Sequence, residues 1–262
     1  MLQRDARSHA EGIFEIKTAL TLASGQNLCY NEGIKDTEDF SEMKKALIVY
    51  GGWAGHDPEG LAEVFAEILK AEGFQVTRSD SLSSLAEDLS GYDLLIPIWT
   101  MGSISREIEK NVCDAVAKGL GLAGCHGGMC DAFRGSTDWL FMTGAQWVAH
   151  PGNSDVTYEV KICPDTDSEI TRGIGDFKIK SEQYYMLVDP AVRVLATTAF
   201  PTADGPHTPN GRVLMPVVYT KLWGKGRIFY SSLGHDRTVF DIPEARELMR
   251  RGFLYATRGE EN

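Results

Sequence analysis

One pattern constrains this chain more than any other: between residues 45 and 125, short unbroken apolar runs alternate with glycine-bearing loops and amphipathic segments. Residues 46–50 (ALIVY) form the first run, and an uninterrupted apolar stretch of that length suits a parallel strand buried on both faces. A helix should follow: Asp57 is placed to cap it, Pro58 suits its first turn and Gly73 its exit. Leu61, Val64, Phe65, Ile68 and Leu69 then fall on one face, with Glu59, Glu63, Glu67 and Lys70 opposite. Strands are expected at 75–78, 94–98 and 120–125, a short helix near 82–88 and a longer one over 105–118. Such a βαβαβαβ order means a doubly wound, mostly parallel sheet with right-handed crossovers.

The second half changes character. Residues 156–162, 193–199, 213–219 and 226–231 read as strands with few helices between them. A closing helix is predicted over 242–255, with Asp241 and Glu244 spaced as a capping box. No internal repeat and no second domain boundary is visible, so residues 43–262 are read as one α/β domain. Residues 1–42 stand apart because residues 24–42 are polar and acidic without a sustained period. They read as a loosely held arm or as sequence upstream of a start at Met43, and a short helix near 12–23 is the alternative.

The net charge of −11, with no Lys/Arg run, argues against a nucleic-acid partner, which needs a basic face to displace counterions. No stretch reaches the roughly 18 consecutive apolar residues of a membrane span. Five cysteines without CxxC spacing form neither a disulfide framework nor a sulfur-rich zinc module, which points to a reducing, cytoplasmic setting. Oligomeric state is left open, a homo-oligomer included.

In an open α/β sheet, ligands bind beyond the carboxyl ends of the strands. Three of the six histidines (His56, His126, His235) fall just past predicted strand ends, as do Trp53 and Trp99. The most informative element is Gly124-Cys125-His126-Gly127-Gly128, a residue flanked by glycines between a buried strand and a helix. That matches a nucleophile elbow, a strained turn that presents one side chain to the cleft. The centre of the elbow is His126. Cys125, one residue earlier, should point into the sheet because strand side chains alternate, which makes it a core residue.

The run GLAGCHGG, together with AHPG at 149–152, SEQYY at 181–185 and GKGRIFYSSLGHD at 224–236, resembles the ThuA-like family, the trehalose-utilisation group, over about residues 44–257. That resemblance implies a flavodoxin-like, class I glutamine amidotransferase-like fold. It also departs from true amidotransferases, because His126 occupies the place of their elbow cysteine, with His235 and Asp236 near the place of their later pair. Glutamine hydrolysis through a thioester is therefore not expected. The family association further implies a 3-keto sugar or 3-keto glycoside as substrate, made by a partner sugar dehydrogenase. A C3 carbonyl acidifies the C2 proton, so the chemistry needs a tuned base, a donor or metal at the developing oxyanion, and a general acid.

On this reading His126, His235 and Glu182 are the catalytic candidates, Glu182 because its segment resembles the family's Asp-Glu-x-Tyr stretch. Ser181 stands where that stretch usually has Asp, so the family's paired acid is absent at this position. His56, Trp53, Trp99, His150, Tyr184 and Asp236 are the candidates for substrate contact. Each has a plain structural alternative: a loop histidine before Pro151 for His150, core or core-edge packing for Tyr184 and the tryptophans. Neutral histidines and a carboxylate meeting in one cleft can hold zinc or manganese. No HExxH or other spaced ligand pair marks such a site, and no GxGxxG or P-loop lysine supports NAD or ATP. The rival readings are a non-catalytic sugar-binding or regulatory module on an amidotransferase-like scaffold, and a metal-dependent hydrolase of another small molecule.

Overall fold

The computed structural model describes residues 43–259, so the arm expected over residues 1–42 lies outside the described residues. The chain opens with β1 (Lys45–Gly52), α1 (Pro58–Ala71), β2 (Gln75–Ser79), β3 (Leu94–Thr100), α2 (Arg106–Ala117) and β4 (Gly121–Cys125). The short α3 (His126–Cys130) and α4 (Thr137–Thr143) follow, then β5 (Ala145–Ala149), β6 (Thr157–Ile162), β7 (Phe177–Lys180) and β8 (Tyr185–Val188). β9 (Arg193–Phe200), β10 (Val213–Trp223), β11 (Gly226–Ser231) and α5 (Pro243–Ala256) complete it.

Nine strands form one sheet in the order β2-β1-β3-β4-β11-β10-β9-β6-β7, and β5 pairs with β8 in a separate ribbon. The first five are parallel neighbours, whereas β10, β9, β6 and β7 extend the sheet in antiparallel fashion. The expected parallel half is therefore present, and the helix-poor second half is its antiparallel continuation. The order reverses at β1, which sends β2 to one side and β3 to the other; that reversal creates a crevice at the strand carboxyl ends.

Helices cover both faces. On one, α1 and α5 bury Leu61, Phe65, Leu69, Leu248 and Phe253 against the sheet. Phe65 meets Phe240 and Phe253 edge-on, both at 5.1 Å between centroids, and burying each such ring contributes about 1.5–3 kcal/mol. On the other face, α2 and α4 place Val112, Val116, Trp139 and Met142 over Leu95, Leu122 and Tyr230.

Two expected caps are not formed. Asp57 adopts a left-handed conformation (φ 45°) and its carboxylate leaves the helix end to bind Arg237, 2.6 Å from Nε. The ion pair outcompetes the cap and ties the loop after β1 to the loop after β11. Gly60 makes room for it, since a Cβ there would lie 2.4 Å from the Arg237 guanidinium. At the last helix, Asp241 ends a 3₁₀ turn (Arg237–Asp241), so Ile242 becomes the cap residue and Pro243 the first helical position. Proline there loses nothing, because its missing N–H would have had no partner.

Candidate active site: a histidine–glutamate cluster at the strand ends

β4 runs extended to Cys125 (φ −137°) and then turns sharply at His126, whose φ is 49°. A non-glycine residue in this region carries about 1–2 kcal/mol of strain, and such strain clusters at functional sites. Two neighbours permit it. A Cβ on Gly128 would stand 2.9 Å from the Ile98 Cα, so α3 packs directly on β3. A Cβ on Gly127 would stand 2.9 Å from both His56 Cε1 and Thr100 Oγ1. The elbow thus admits the His56 ring from the loop after β1. Cys125 packs into the core, where burial pushes its thiol pKa far up, so it offers no thiolate.

Around this turn the strand ends deliver four imidazoles to one carboxylate. Glu182 comes from the link between β7 and β8, and that link is pinned on both sides. Ser181 N–H donates to the Val156 carbonyl and the Tyr158 hydroxyl donates to the Glu182 carbonyl. The Gln183 amide spans Thr198, Ala199 and Thr202. Glu182 Oε2 lies 3.0 Å from His126 Nε2 and 3.8 Å from His56 Nε2; Oε1 lies 3.4 Å from His235 Nδ1 and 3.7 Å from His150 Nδ1. Only a few per cent of the Glu182, His126 and His56 side chains is exposed, against 19% for His235 and 26% for His150. The cluster therefore has a dry floor and one side open to solvent.

Its electrostatics follow from this layering. Burial alone would raise the Glu182 pKa, but the contacts with His126, His235 and His56 overcome it and hold the carboxyl far below its usual range. Burial dominates at His126 and lowers its pKa to about 4 despite the carboxylate, so the ring is neutral near pH 7. His235 moves upward because Glu182 lies beside it, with burial opposing. Both nitrogens of His126 face acceptors: Nδ1 is 2.8 Å from the Ser232 carbonyl, and Nε2 meets Glu182. A neutral imidazole has one N–H, and the Ser232 carbonyl and the ionised Glu182 carboxylate can both only accept, so one of the two contacts is left without a proton. The buried Nδ1 atoms of His150 and His235 make no hydrogen bond. His56, His126, Glu182 and His235 each offer one ligand atom within 4.8 Å of the others, the donor set of a divalent-metal centre.

The remaining predicted residues separate cleanly. Tyr184 is buried and stacks on His126 at 4.0 Å between centroids, backing the floor. Trp53 is 46% exposed and meets His56 edge-on at 4.6 Å, forming an apolar rim. Trp99 covers Gly51 and Gly102 at the core edge and makes no ring contact with the cluster. Asp236 caps the 3₁₀ turn through the Thr238 N–H, 2.8 Å away.

Other residues of the site escaped sequence reading. Thr100, buried at the end of β3, is hydrogen-bonded through Oγ1 to His56 Nδ1 at 2.9 Å. Its place past a strand end was the available signal. Trp147, on β5, packs beside His150 and Tyr184 under the Arg134 guanidinium, and its indole N–H is buried without a partner. β5 carried no sequence signal, and the Ser232 carbonyl, being backbone, could carry none.

Comparison with known proteins places this geometry. The ThuA family model, described as trehalose utilisation, matches residues 45–256. No curated protein matches the chain. Among solved structures, it is similar to a protein of Parabacteroides merdae described as ThuA-like, at 19% identity and a TM-score of 0.67, over 84% of this chain and 93% of that one. A cytoplasmic protein of Salmonella typhimurium superposes at a TM-score of 0.60 with 14% identity, over 82% of this chain and 100% of that one. The β-galactosidase of Bacillus circulans does so at 0.55 with 15% identity, over 80% of this chain and 30% of that one. At these identities the likeness is one of fold, and that fold is glutamine amidotransferase-like. Among the described residues, no helix is long and apolar enough to cross a membrane.

Proposed function

We propose, from the premise that this chain belongs to the ThuA family, that it is an enzyme acting on a 3-keto sugar or 3-keto glycoside at the histidine–glutamate cluster. The observation that carries this reading is the layered cluster itself: four imidazoles around one ionised carboxylate, closed beneath and open along His150 and His235. Removal of the C2 proton sends its electron pair toward the C3 oxygen as an enediolate. Collapse of the enediolate then expels the C1 glycosidic oxygen, which takes a proton, or moves the carbonyl along the ring.

The exposed histidines suit the proton transfers. His150, with its partly open ring, suits removal of the C2 proton, and His235, its pKa raised, suits donation to a developing oxyanion or leaving group. His126 is too deeply buried to touch a substrate directly; it anchors Glu182, which fixes the open pair. Trp53 offers its exposed ring to a sugar's apolar face. The keto group must already have been installed by oxidation of the glycoside at C3, the work of a partner sugar dehydrogenase.

The test is solvent-deuterium exchange at C2 of a 3-keto disaccharide, followed by mass spectrometry alongside product release. His150→Ala should remove both exchange and product. Saturable binding by calorimetry, with neither exchange nor product from the unaltered protein, would mark a binding module instead.

A further inference from the structure

We infer that His56, His126, Glu182 and His235 form a resident site for one first-row divalent ion, zinc or manganese. The inference rests on the cluster alone, and it stands or falls separately from the substrate class.

Three independent observations point to a cation. The first is the lone-pair conflict. His126 has one N–H for two acceptors, the Ser232 carbonyl 2.8 Å from Nδ1 and Glu182 Oε2 3.0 Å from Nε2, so one of those contacts sets a lone pair against a lone pair. A positive ion between Nε2 and Oε2 removes the conflict, because the single N–H is then free for the Ser232 carbonyl. The second is the outer support. His126 is oriented by a backbone carbonyl and His56 by the Thr100 hydroxyl at 2.9 Å, and metal-binding imidazoles are oriented in this way through their other nitrogen. The third is spacing. A metal–ligand distance of about 2.1 Å puts adjacent ligands about 3.0 Å apart and opposite ones about 4.2 Å apart in an octahedral shell. His126 Nε2 and His56 Nε2 lie 3.0 and 3.8 Å from Oε2, and His235 Nδ1 lies 3.4 Å from Oε1. One ligand atom from each of the four falls within 4.8 Å of the rest, somewhat wider than that shell.

The donors also choose the ion. Three imidazole nitrogens and one carboxylate oxygen, with no thiolate, suit zinc or manganese and are poor for calcium, which takes six to eight oxygens. When bound, such an ion polarises a carbonyl or enediolate oxygen. His235 is then a ligand, and His150, outside the four, is the imidazole left for proton transfer.

The test uses full-length protein, purified without chelator or stripped and reloaded with zinc or manganese. Elemental analysis should give one equivalent per chain, and the reloaded protein should unfold at a higher temperature than the stripped one. Cobalt(II) should bind with visible d–d bands that zinc abolishes. Glu182→Gln and His56→Gln should weaken binding by on the order of 100-fold or more, and Thr100→Val, which touches only the support, by about 10–100-fold. His150→Ala should keep the full equivalent. The inference is overturned if unaltered protein takes up no zinc, manganese or cobalt at micromolar concentration. It is equally overturned if folded Glu182→Gln, verified by circular dichroism, binds as tightly as the parent.

Discussion

Acid should destabilise the metal-free protein through His126 before its carboxylates are protonated. The folded pKa of that ring is about 4, below the ordinary 6.5, because it is buried. Between those values the unfolded chain binds a proton that the native state refuses, so stability is fully present above pH 6.5 and falls as pH drops toward 4. The linkage relation gives a loss of about 2 kcal/mol at pH 5 and about 3 kcal/mol at pH 4 from this residue. For a domain of this size the pH 5 value lowers the melting temperature by about 4–8 °C. Glu182 adds to the trend only below about pH 4.5, where the unfolded carboxyl takes a proton that the folded one still rejects. His235 works the other way. Its raised folded pKa gives stability below 6.5 that is lost as pH rises through the folded value. The assay is urea unfolding of chelator-treated protein at half-unit steps from pH 8 to 4, beside a His126→Asn variant. The variant should lack the fall between pH 6.5 and 5. If it follows the parent curve within error, the burial argument for His126 is wrong.

Three further outcomes are expected. Gly127→Ala should cost about 1–3 kcal/mol by overpacking against His56 and Thr100, and calorimetric titration should show weakened metal binding, although alanine is the better helix former. Native protein treated with iodoacetamide at pH 7.5 should be labelled, among the described cysteines, at Cys163 alone, and slowly, because partial burial raises that thiol too. Cys113, Cys125 and Cys130 are buried, and burial raises their thiols (to about 11 at Cys113 and about 12 at Cys130), so peptide mapping should find them unmodified. Lys221, buried against Asp189 at 2.8 Å, should lose about 2–3 kcal/mol as Lys221→Met, less than the 3–5 kcal/mol of a fully buried pair because Asp189 is partly exposed. Adding Asp189→Leu should recover part of that loss in chemical denaturation.

The parallel half was legible because each strand there is buried on both faces and each helix carries one apolar stripe. β1, α1, β3 and α2 therefore sit within two residues of expectation at their ends. His126 was legible for the same reason, since a glycine-flanked residue after a buried strand has few places to point. The antiparallel extension was only half visible. β7 and β8 are four residues each, too short for the alternation of β7 (FKIK) to stand out, and β5 pairs with β8 in a separate ribbon and alternates poorly. Glu182 was identified by its neighbours' resemblance rather than by any period. The segment that carries it is held by hydrogen bonds to Val156, Tyr158 and Thr198, residues distant in sequence. The mistaken caps have different causes: at Asp57 local spacing cannot register Arg237, brought in from 180 residues away, and at Asp241 a 3₁₀ turn closes first and moves the helix start on to Pro243.

The four converging side chains come from positions 56, 126, 182 and 235, one from each quarter of the folded region. A nascent chain has no competent centre until residue 235 has left the ribosome and β11 has docked between β4 and β10. Whatever occupies the cluster then recognises only finished molecules, since a fragment or an unfolded chain cannot gather the set, and its binding energy adds to native stability alone. Occupancy would in that sense certify assembly, clasping the two halves of the sheet together only after both have been made.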